Sequence, residues 1–412
     1  MSERATCVVV GGGPAGMVLG LLLARAGIEV SVLEKHGDFL RDFRGDTVHP
    51  STLQLLDELG LAERFAKLPF SRVEQIAFPI DERHRVVVGD LRRLKVPHPY
   101  IAMVPQWDLL NLLADAGTQE PSFTLRMRTE VTELIRESGR VQGVRYRTQD
   151  GTTGEIRADL TVACDGRWSI ARKQADLRPR EFRVPIDAWW FRLPRRPEDN
   201  PSALMPYAAE GRFVVVVPRE DFLQLGYFGR NGTDAELRAR GIERFRADVA
   251  EAVPWLADRV GELHSMDDVK YLDVRSNRLL RWHVDGLLCI GDAAHAMSPF
   301  GGVGINLAVE DAVAAATLLA GPLRRGTVTP ATLARVHTRR LLPTIVTQLL
   351  QQLLHYAIAA PIVNERRTGP PKPFLALLRH VPQVSFVPAY LIGVGLRPEH
   401  APDFARRPVL AS

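Results

Sequence analysis

Hydrophobic and polar positions follow two rhythms along this chain. Ala5–Gly11 is an apolar run of strand length that ends in glycines. Pro14–Gly27 (PAGMVLGLLLARAG) has a proline in its first turn and a glycine after its end, which predicts a helix. Ile28–Lys35 reads as a second strand, completing a βαβ unit, and Ser51–Leu61 as a further helix with Ser51 as its N-cap. Between residues 73 and 97 the rhythm changes, and VEQIAF and HRVVVGDL read as antiparallel strands. Pro105–Gly117 is helical again. The stretch from Phe123 reads as strands turning at Ser138-Gly139, and ADLTVACDG as a strand ending in Asp165-Gly166. DAWWFRLP, RFVVVVP and FLQLGYF make residues 181–274 β-rich, with a helical stretch over Asp234–Leu263. DGLLCIGDAAH returns to the parallel-strand style, and the chain from Val303 onward is mainly helical.

This order predicts a discontinuous α/β domain drawn from residues 1–72, 98–180 and 275–340. A β-rich domain (73–97 and 181–274) is inserted into it, and a helical C-terminal region (341–412) covers it. In Leu341–Val363 the positions Leu349, Leu350, Leu353, Leu354 and Ala357 share one helical face, which predicts a buried stripe. Three glutamines and two prolines interrupt that stretch, so a packed helix is expected, with membrane contact peripheral at most.

The length, 412 residues, suits two or three domains. A net charge of +5 is spread along the chain without a block of like charges, which argues against nucleic-acid binding and leaves a weak attraction for anionic cofactors. Cys7, Cys164 and Cys289 sit in apolar runs without metal-type spacing. They read as small buried hydrophobes of a cytoplasmic protein. The first residues have no signal-peptide layout.

Gly11, Gly13 and Gly16 form G-x-G-x-x-G between strand and helix. The first glycine permits the turn, the second admits a pyrophosphate to the backbone, and the third lets helix and strand pack closely. Pro14 and Ala15 begin the helix. Glu34, followed by Lys35, ends the second strand 18 residues past Gly16, where a carboxylate can accept a ribose hydroxyl. With strand, helix and acid all in place, a dinucleotide is expected. Asp165-Gly166 and Gly291-Asp292 end two further strands, and parallel sheets gather ligands at such ends. Arg44 and Gln106 each stand at the head of a helix.

GGGPAG with Glu34, CDGRWSIARK (Cys164–Lys173) and GDAAHAMSPFGGVGINLAVEDA (Gly291–Ala312) together resemble the class A flavoprotein monooxygenases. These are the family of p-hydroxybenzoate hydroxylase and the ubiquinone-biosynthesis hydroxylases. The resemblance implies a Rossmann-like FAD-binding domain holding FAD non-covalently. By position, Glu34 would hold the adenosine ribose, Arg44 and Gln106 the phosphates or ribityl region, and Val131 the adenine. Asp292 would bind ribityl or ribose hydroxyls. Pro299 and the loop of Gly301, Gly302, Val303, Gly304, Ile305 and Asn306 would border the flavin ring. Asp165, with Arg167, Ser169 and Arg172 nearby, would contact the cofactor less directly, the alternative being an acid that holds a strand–helix turn.

The implied reaction begins with reduction of FAD by NAD(P)H, acting as a transient co-substrate. Dioxygen then gives a flavin hydroperoxide, which hydroxylates a phenolic or polyketide-like aromatic. Neither a second G-x-G-x-x-G nor a C-x-x-C occurs, which sets the chain apart from two-nucleotide disulfide reductases. AWWFRLP is not the W-x-W-x-I-P of the halogenase relatives. The glycine loop's N–H groups could face charge on reduced flavin, and the apolar insert could exclude water. A base could activate a phenol, and His49 and Tyr227 are the candidates; His295 is read as structural. Arg192 and Phe213 stand on strands of the insert, with Phe213 expected in the core. An epoxidase, an oxidative decarboxylase or an isoprenoid-type reductase would use the same scaffold. A non-catalytic FAD-fold protein would show eroded flavin motifs, and these are intact. Monomer and homodimer are both compatible with the sequence.

Overall fold

The structure, a computed structural model, describes residues 3–40, 47–79, 85–199, 204–209, 211–219, 221–366 and 371–407. Five parallel strands form the heart of the larger sheet. In spatial order they are Leu287–Cys289, Thr153–Ala163, Glu3–Val10, Val30–Leu33 and Phe123–Arg126. Val8–Val10 and Val30–Leu33 are buried throughout, as expected for strands covered on both faces. The helices Pro14–Arg25, Gln106–Thr118 and Gly304–Arg324 pack together over this sheet. Thr129–Glu137 and Arg140–Thr148 add an antiparallel flange to Thr153–Ala163. Their two-residue turn places Ser138 and Gly139 at φ 50° and 81°, the left-handed pair that matches strand twist.

A second sheet is antiparallel, in the order Met205–Ala209, Arg212–Pro218, Phe222–Arg230, Ile186–Pro194 and Lys270–Leu272. Strand alternation divides its side chains between two cores. Trp189, Phe191, Leu193, Val214, Val216, Leu225 and Tyr227 meet Phe245 and Val249 of the helix Gly241–Ala252. Ala188, Phe213 and Phe228 face the other way, toward Ile358 and Ile362 of the C-terminal region. The hairpin Gln75–Pro79/Arg85–Asp90 joins this sheet's edge through a bridge from Ile76 to Leu204. A short pair, Pro179–Phe182 with Ser276–Leu279, connects the two sheets. Pro179–Phe182 runs across the boundary drawn at residues 180 and 181.

Three local expectations are corrected. The helix Pro50–Glu58 starts one residue before Ser51, because Pro50 suits its first turn and His49 takes the cap position. The stretch Asp234–Leu263 is broken at Gly241 (φ 77°) into two helices, followed by single 3₁₀ turns. The leucine stripe of the helix Pro330–Leu354 is only partly buried: Leu350, Leu354 and Ala357 are half-buried, whereas Leu349 and Leu353 are 58% and 64% exposed. Thr344, Gln348, Gln351 and His355 are buried in its place. Gln348 donates to the carbonyls of Asn277 and Ala296, and Gln351 to those of Ser298 and Phe300. Those loop carbonyls need donors, and amide side chains on the facing helix supply them.

The helix Gly304–Arg324 is long and apolar enough to cross a membrane, yet 78% of its apolar window is buried inside the protein. It is the core helix on which the parallel sheet closes.

Gln351→Leu should lower stability by about 1–3 kcal/mol, because it strands two carbonyls. Leu353→Ser should change stability by less than about 0.5 kcal/mol. Urea unfolding of the two variants checks both; the opposite order would restore the leucine face as the packed one.

Candidate active site

The parallel strands end almost flush: Val10 pairs with Ala163 and Leu33, and Ala163 with Cys289. Each chain exit therefore opens at the same edge. Gly11 turns there with φ 103°, and a Cβ on it would stand 2.5 Å from the Cys164 carbonyl oxygen. A Cβ on Gly16 would stand 2.0 Å from the Gly11 oxygen, so the helix Pro14–Arg25 is set hard against the strand end. At Gly13 a Cβ would meet nothing within 4 Å. That open space lies at a helix start with no side-chain cap, where backbone N–H groups await an anion. Glu34 is buried at the end of the neighbouring strand. Its carboxylate accepts from the Gly12 N–H at 2.9 Å and the His36 N–H at 3.0 Å.

One cavity of about 990 Å³ runs from this turn along the sheet edge and under the antiparallel sheet. Gly11, Gly13, Pro14, Ala15, Glu34, Lys35, Gln106, Val131, Asp165, Asp292, Pro299, Gly301, Gly302, Gly304 and Ile305 line it, as the sequence predicts. Gly16, Gly291, Val303 and Asn306 do not line it; they shape the backbone behind. Arg44 lies outside the described residues. Asp165 accepts from the N–H groups of Ile170 and Ala171 at 2.8 and 3.2 Å, so it caps a short helix as the structural alternative expects. Burial raises its pKa. Asp292 accepts from Arg167 Nε at 3.3 Å. The Thr47 hydroxyl donates to the Gly302 carbonyl at 2.7 Å and ties down the glycine loop. The helix Gly304–Arg324 starts just beyond, also without a side-chain cap.

Both candidate bases lie away from the cavity lining. Tyr227 follows the odd-numbered alternation of its strand into the other core. Its hydroxyl lies 3.4 Å from Asp248, and burial raises its pKa. His49 is fully buried, and its Nδ1–H donates to the Ile392 carbonyl at 2.7 Å. Burial lowers its pKa to about 4. His295 is also buried, with Nε2 2.6 Å from Asp311, a structural place as expected. Arg192 is exposed, with its guanidinium 4.4 Å from the centre of the Phe222 ring.

Phe213 is in a core as expected, and it also lines the cavity, stacked on Phe228 with ring centres 4.7 Å apart. Trp190 and Phe300 meet this pair edge-on at 6.0 and 6.3 Å. Opposite them stand Leu350, Leu354, Ile358 and Leu391 of the C-terminal region. The sequence signal for this wall is the even–odd alternation of the insert strands, which separates two faces without saying which one meets the ligand. At the cavity's other flank, Trp168 is exposed with the Arg275 guanidinium 4.4 Å from its ring centre.

A glycine turn at a bare helix start, a buried acid at the neighbouring strand end and a second glycine loop at the far end of one cavity are the features of a dinucleotide-binding redox protein. The open space at Gly13 and the uncapped helix starts at both ends fit FAD. The family model for the FAD binding domain matches residues 4–352. A 6-methylpretetramide 4-monooxygenase from Streptomyces rimosus is 37% identical over 337 residues, covering 81% of this chain and 79% of that protein. A p-nitrophenol 4-monooxygenase from Pseudomonas putida shares the fold with a TM-score of 0.76 at 19% identity, covering 96% of this chain and all of that one. An anhydrotetracycline hydroxylase from Streptomyces rimosus does so with a TM-score of 0.74 at 24% identity, covering 97% and 77%. The chain belongs to this FAD-binding family and is an FAD-dependent monooxygenase of the class A flavoprotein type.

Tyr227→Phe should leave turnover within about twofold, because the hydroxyl does not reach the cavity; a steady-state assay that shows a hundredfold loss would reinstate it as a base. The buried histidines also predict a pH dependence. His49 and His355 are both held near about 4 by burial, against the ordinary value of 6.5. Above pH 6.5 both are neutral, folded or unfolded, and add nothing. As pH falls from 6.5 toward 4 only the unfolded chain takes up these protons, so stability is lost; each tenfold difference in proton affinity is worth about 1.4 kcal/mol. Glu310, raised to about 7, acts in the opposite sense below pH 7. Comparing urea midpoints of wild type and His355→Gln at pH 7.5 and 5.0 isolates the histidine, and the variant should lose less on acidification.

Proposed function

We propose that this enzyme hydroxylates a fused-ring, polyketide-like aromatic, with NAD(P)H as electron donor and dioxygen as oxidant. The observation that carries the reading is the aromatic wall of Trp190, Phe213, Phe228 and Phe300 beside the glycine loop. Flat rings bury well against such a surface. The 37% identical relative is named for a 6-methylpretetramide substrate, which supports the same class.

The parallel-sheet unit (1–72, 98–180, 275–340) is the discontinuous Rossmann-like FAD domain in this proposal. The insert (73–97, 181–274) is the substrate domain, and the helical C-terminal region (341–412) closes the chamber. FAD, when bound, supplies the electron transfer and oxygen activation. Gly13 and the first turn of Pro14–Arg25 would hold its pyrophosphate, Glu34 its ribose and Asp292 its ribityl chain. Backbone N–H groups at the start of Gly304–Arg324 would face the negative charge of the reduced ring. Val215, Val217, Leu272 and Ile358 would keep water from the reacting carbon. The described residues of the insert and of the C-terminal region that line the cavity include no carboxylate and no histidine. A phenolic proton would therefore leave through the substrate's own hydroxyls or bound water. Three unpaired cysteines suit a cytoplasmic setting.

The decisive experiment follows NAD(P)H oxidation over a panel of mono- and polycyclic phenols, with mass analysis of products formed under labelled dioxygen. One labelled oxygen in a polycyclic product supports the proposal; turnover confined to single-ring phenols overturns the substrate class. Phe213→Ala should raise KM for the accepted polycycle about tenfold or more while FAD affinity stays unchanged, since the ring lines the cavity from the antiparallel sheet. Equal KM in the two proteins would remove Phe213 from the substrate wall.

A further inference from the structure

Behind the glycine loop lies a group of charges with almost no access to water. Arg340 and Asp311 are 0% exposed, His295 1%, and Glu310 and Glu399 4% each. Arg340 reaches from the helix Pro330–Leu354. Its Nε donates to Asp311 Oδ1 at 3.0 Å, its Nη2 to Glu310 Oε2 at 2.5 Å, and its Nη1 to Glu399 Oε1 at 3.5 Å. Arg339 holds Glu399 from the rim at 2.6 Å.

Two arms leave this centre toward the cofactor cavity. In the first, Asp311 Oδ2 accepts from the Gly291 N–H at 3.0 Å and from His295 Nε2 at 2.6 Å. Gly291 begins the turn that carries Asp292 to the cavity. In the second, Glu310 Oε1 accepts from Asn306 Nδ2 at 3.4 Å. Asn306 Oδ1 in turn accepts from the hydroxyls of Ser51 and Thr52 at 2.9 and 2.5 Å. Asn306 belongs to the first turn after the glycine loop.

Burying such a cluster is costly, and apolar packing of equal volume commonly gives equal or greater stability. What ions add is directional constraint, since each lone pair and each N–H must meet its partner. The charges also balance. Two arginines face three carboxylates, and burial raises the pKa of Glu310, whose proton makes the group neutral.

We propose that Arg340 is a positioning residue for FAD. Through Asp311 it sets the Gly291–Asp292 turn, and through Glu310 and Asn306 it sets the first turn of the helix Gly304–Arg324. The two cofactor contacts thereby keep one fixed separation. This rests on the reading that Asp292 and the glycine loop hold the two parts of FAD.

The test uses Arg340→Lys, which keeps the charge and loses the fork, so that it reaches one carboxylate at a time. Apoprotein melting temperature, FAD affinity of the apoprotein by fluorescence titration, and hydrogen peroxide released per NAD(P)H are measured together. The expected variant melts within a few degrees of wild type, binds FAD about tenfold more weakly, and releases several times more peroxide. Asn306→Ala combined with Arg340→Lys should weaken FAD binding by less than the product of the two single effects, because both lie on one arm. Wild-type FAD affinity and coupling in the lysine variant would overturn the proposal, as would strictly multiplicative effects of the two substitutions. Wild-type apoprotein that binds no FAD would overturn the underlying reading instead. If Arg340→Lys does not fold, Glu310→Gln, which neutralises one carboxylate and keeps its shape, carries the same comparison, and unchanged FAD affinity there overturns the second arm.

Discussion

Parallel backbone hydrogen bonding between Glu3–Val10, Thr153–Ala163 and Leu287–Cys289 is the interaction on which the rest of this protein depends. These ladders bring together three segments that are far apart in the chain and make them end at one edge. A glycine turn, an Asp-Gly turn and a Gly-Asp turn then open onto the same cavity. Slip any one ladder by a residue and its turn would withdraw, because strand side chains change face with every step. The close approach of Gly11 to Cys164 and of Gly16 to Gly11 admits no such slip.

The antiparallel sheet solves a different problem with the same alternation. Alternate positions on one face, Trp189, Phe191, Val214, Val216, Leu225 and Tyr227, build a closed core with Phe245 and Val249. The alternate positions on its other face wall the cavity, with Phe213, Val215, Gln224 and Phe228 among them. One sheet thus serves as core on one face and as ligand wall on the other. The C-terminal helices complete this wall, and they do so with a polar inner face. Gln348, Gln351 and His355 hold the loop around Met297–Phe300 in place by its carbonyls and by the Ser298 hydroxyl.

The two kinds of burial divide the work. Apolar side chains line the cavity beneath the antiparallel sheet. Buried ions and amides stand one layer further back and hold backbone segments in register. Arg340, Asp311 and Glu310 do not line the cavity, yet they are bonded to the Gly291 turn before Asp292 and, through Asn306, to the first turn after the glycine loop.

Local chemistry alone determined much of this. Gly11, Gly13 and Gly16, the acid Glu34 and the paired motifs at Asp165 and Asp292 are legible because a pyrophosphate, a ribose and a tight turn each demand particular atoms at particular spacings. The strand and helix periods likewise mark out the alternating units. The sequence could not assign faces. It put Tyr227 and Phe213 on neighbouring strands of the insert, and only packing against Phe245 on one side and the C-terminal helices on the other sent Tyr227 into a closed core and Phe213 into the core that borders the cavity. It read a leucine stripe as buried, whereas unpaired loop carbonyls drew in the glutamines. It offered His49 as a base, and its burial against Ile392 came from a segment some 340 residues away. Spacing along a chain records local geometry; which side of an element meets solvent, core or ligand is settled by long-range contacts that no local period contains.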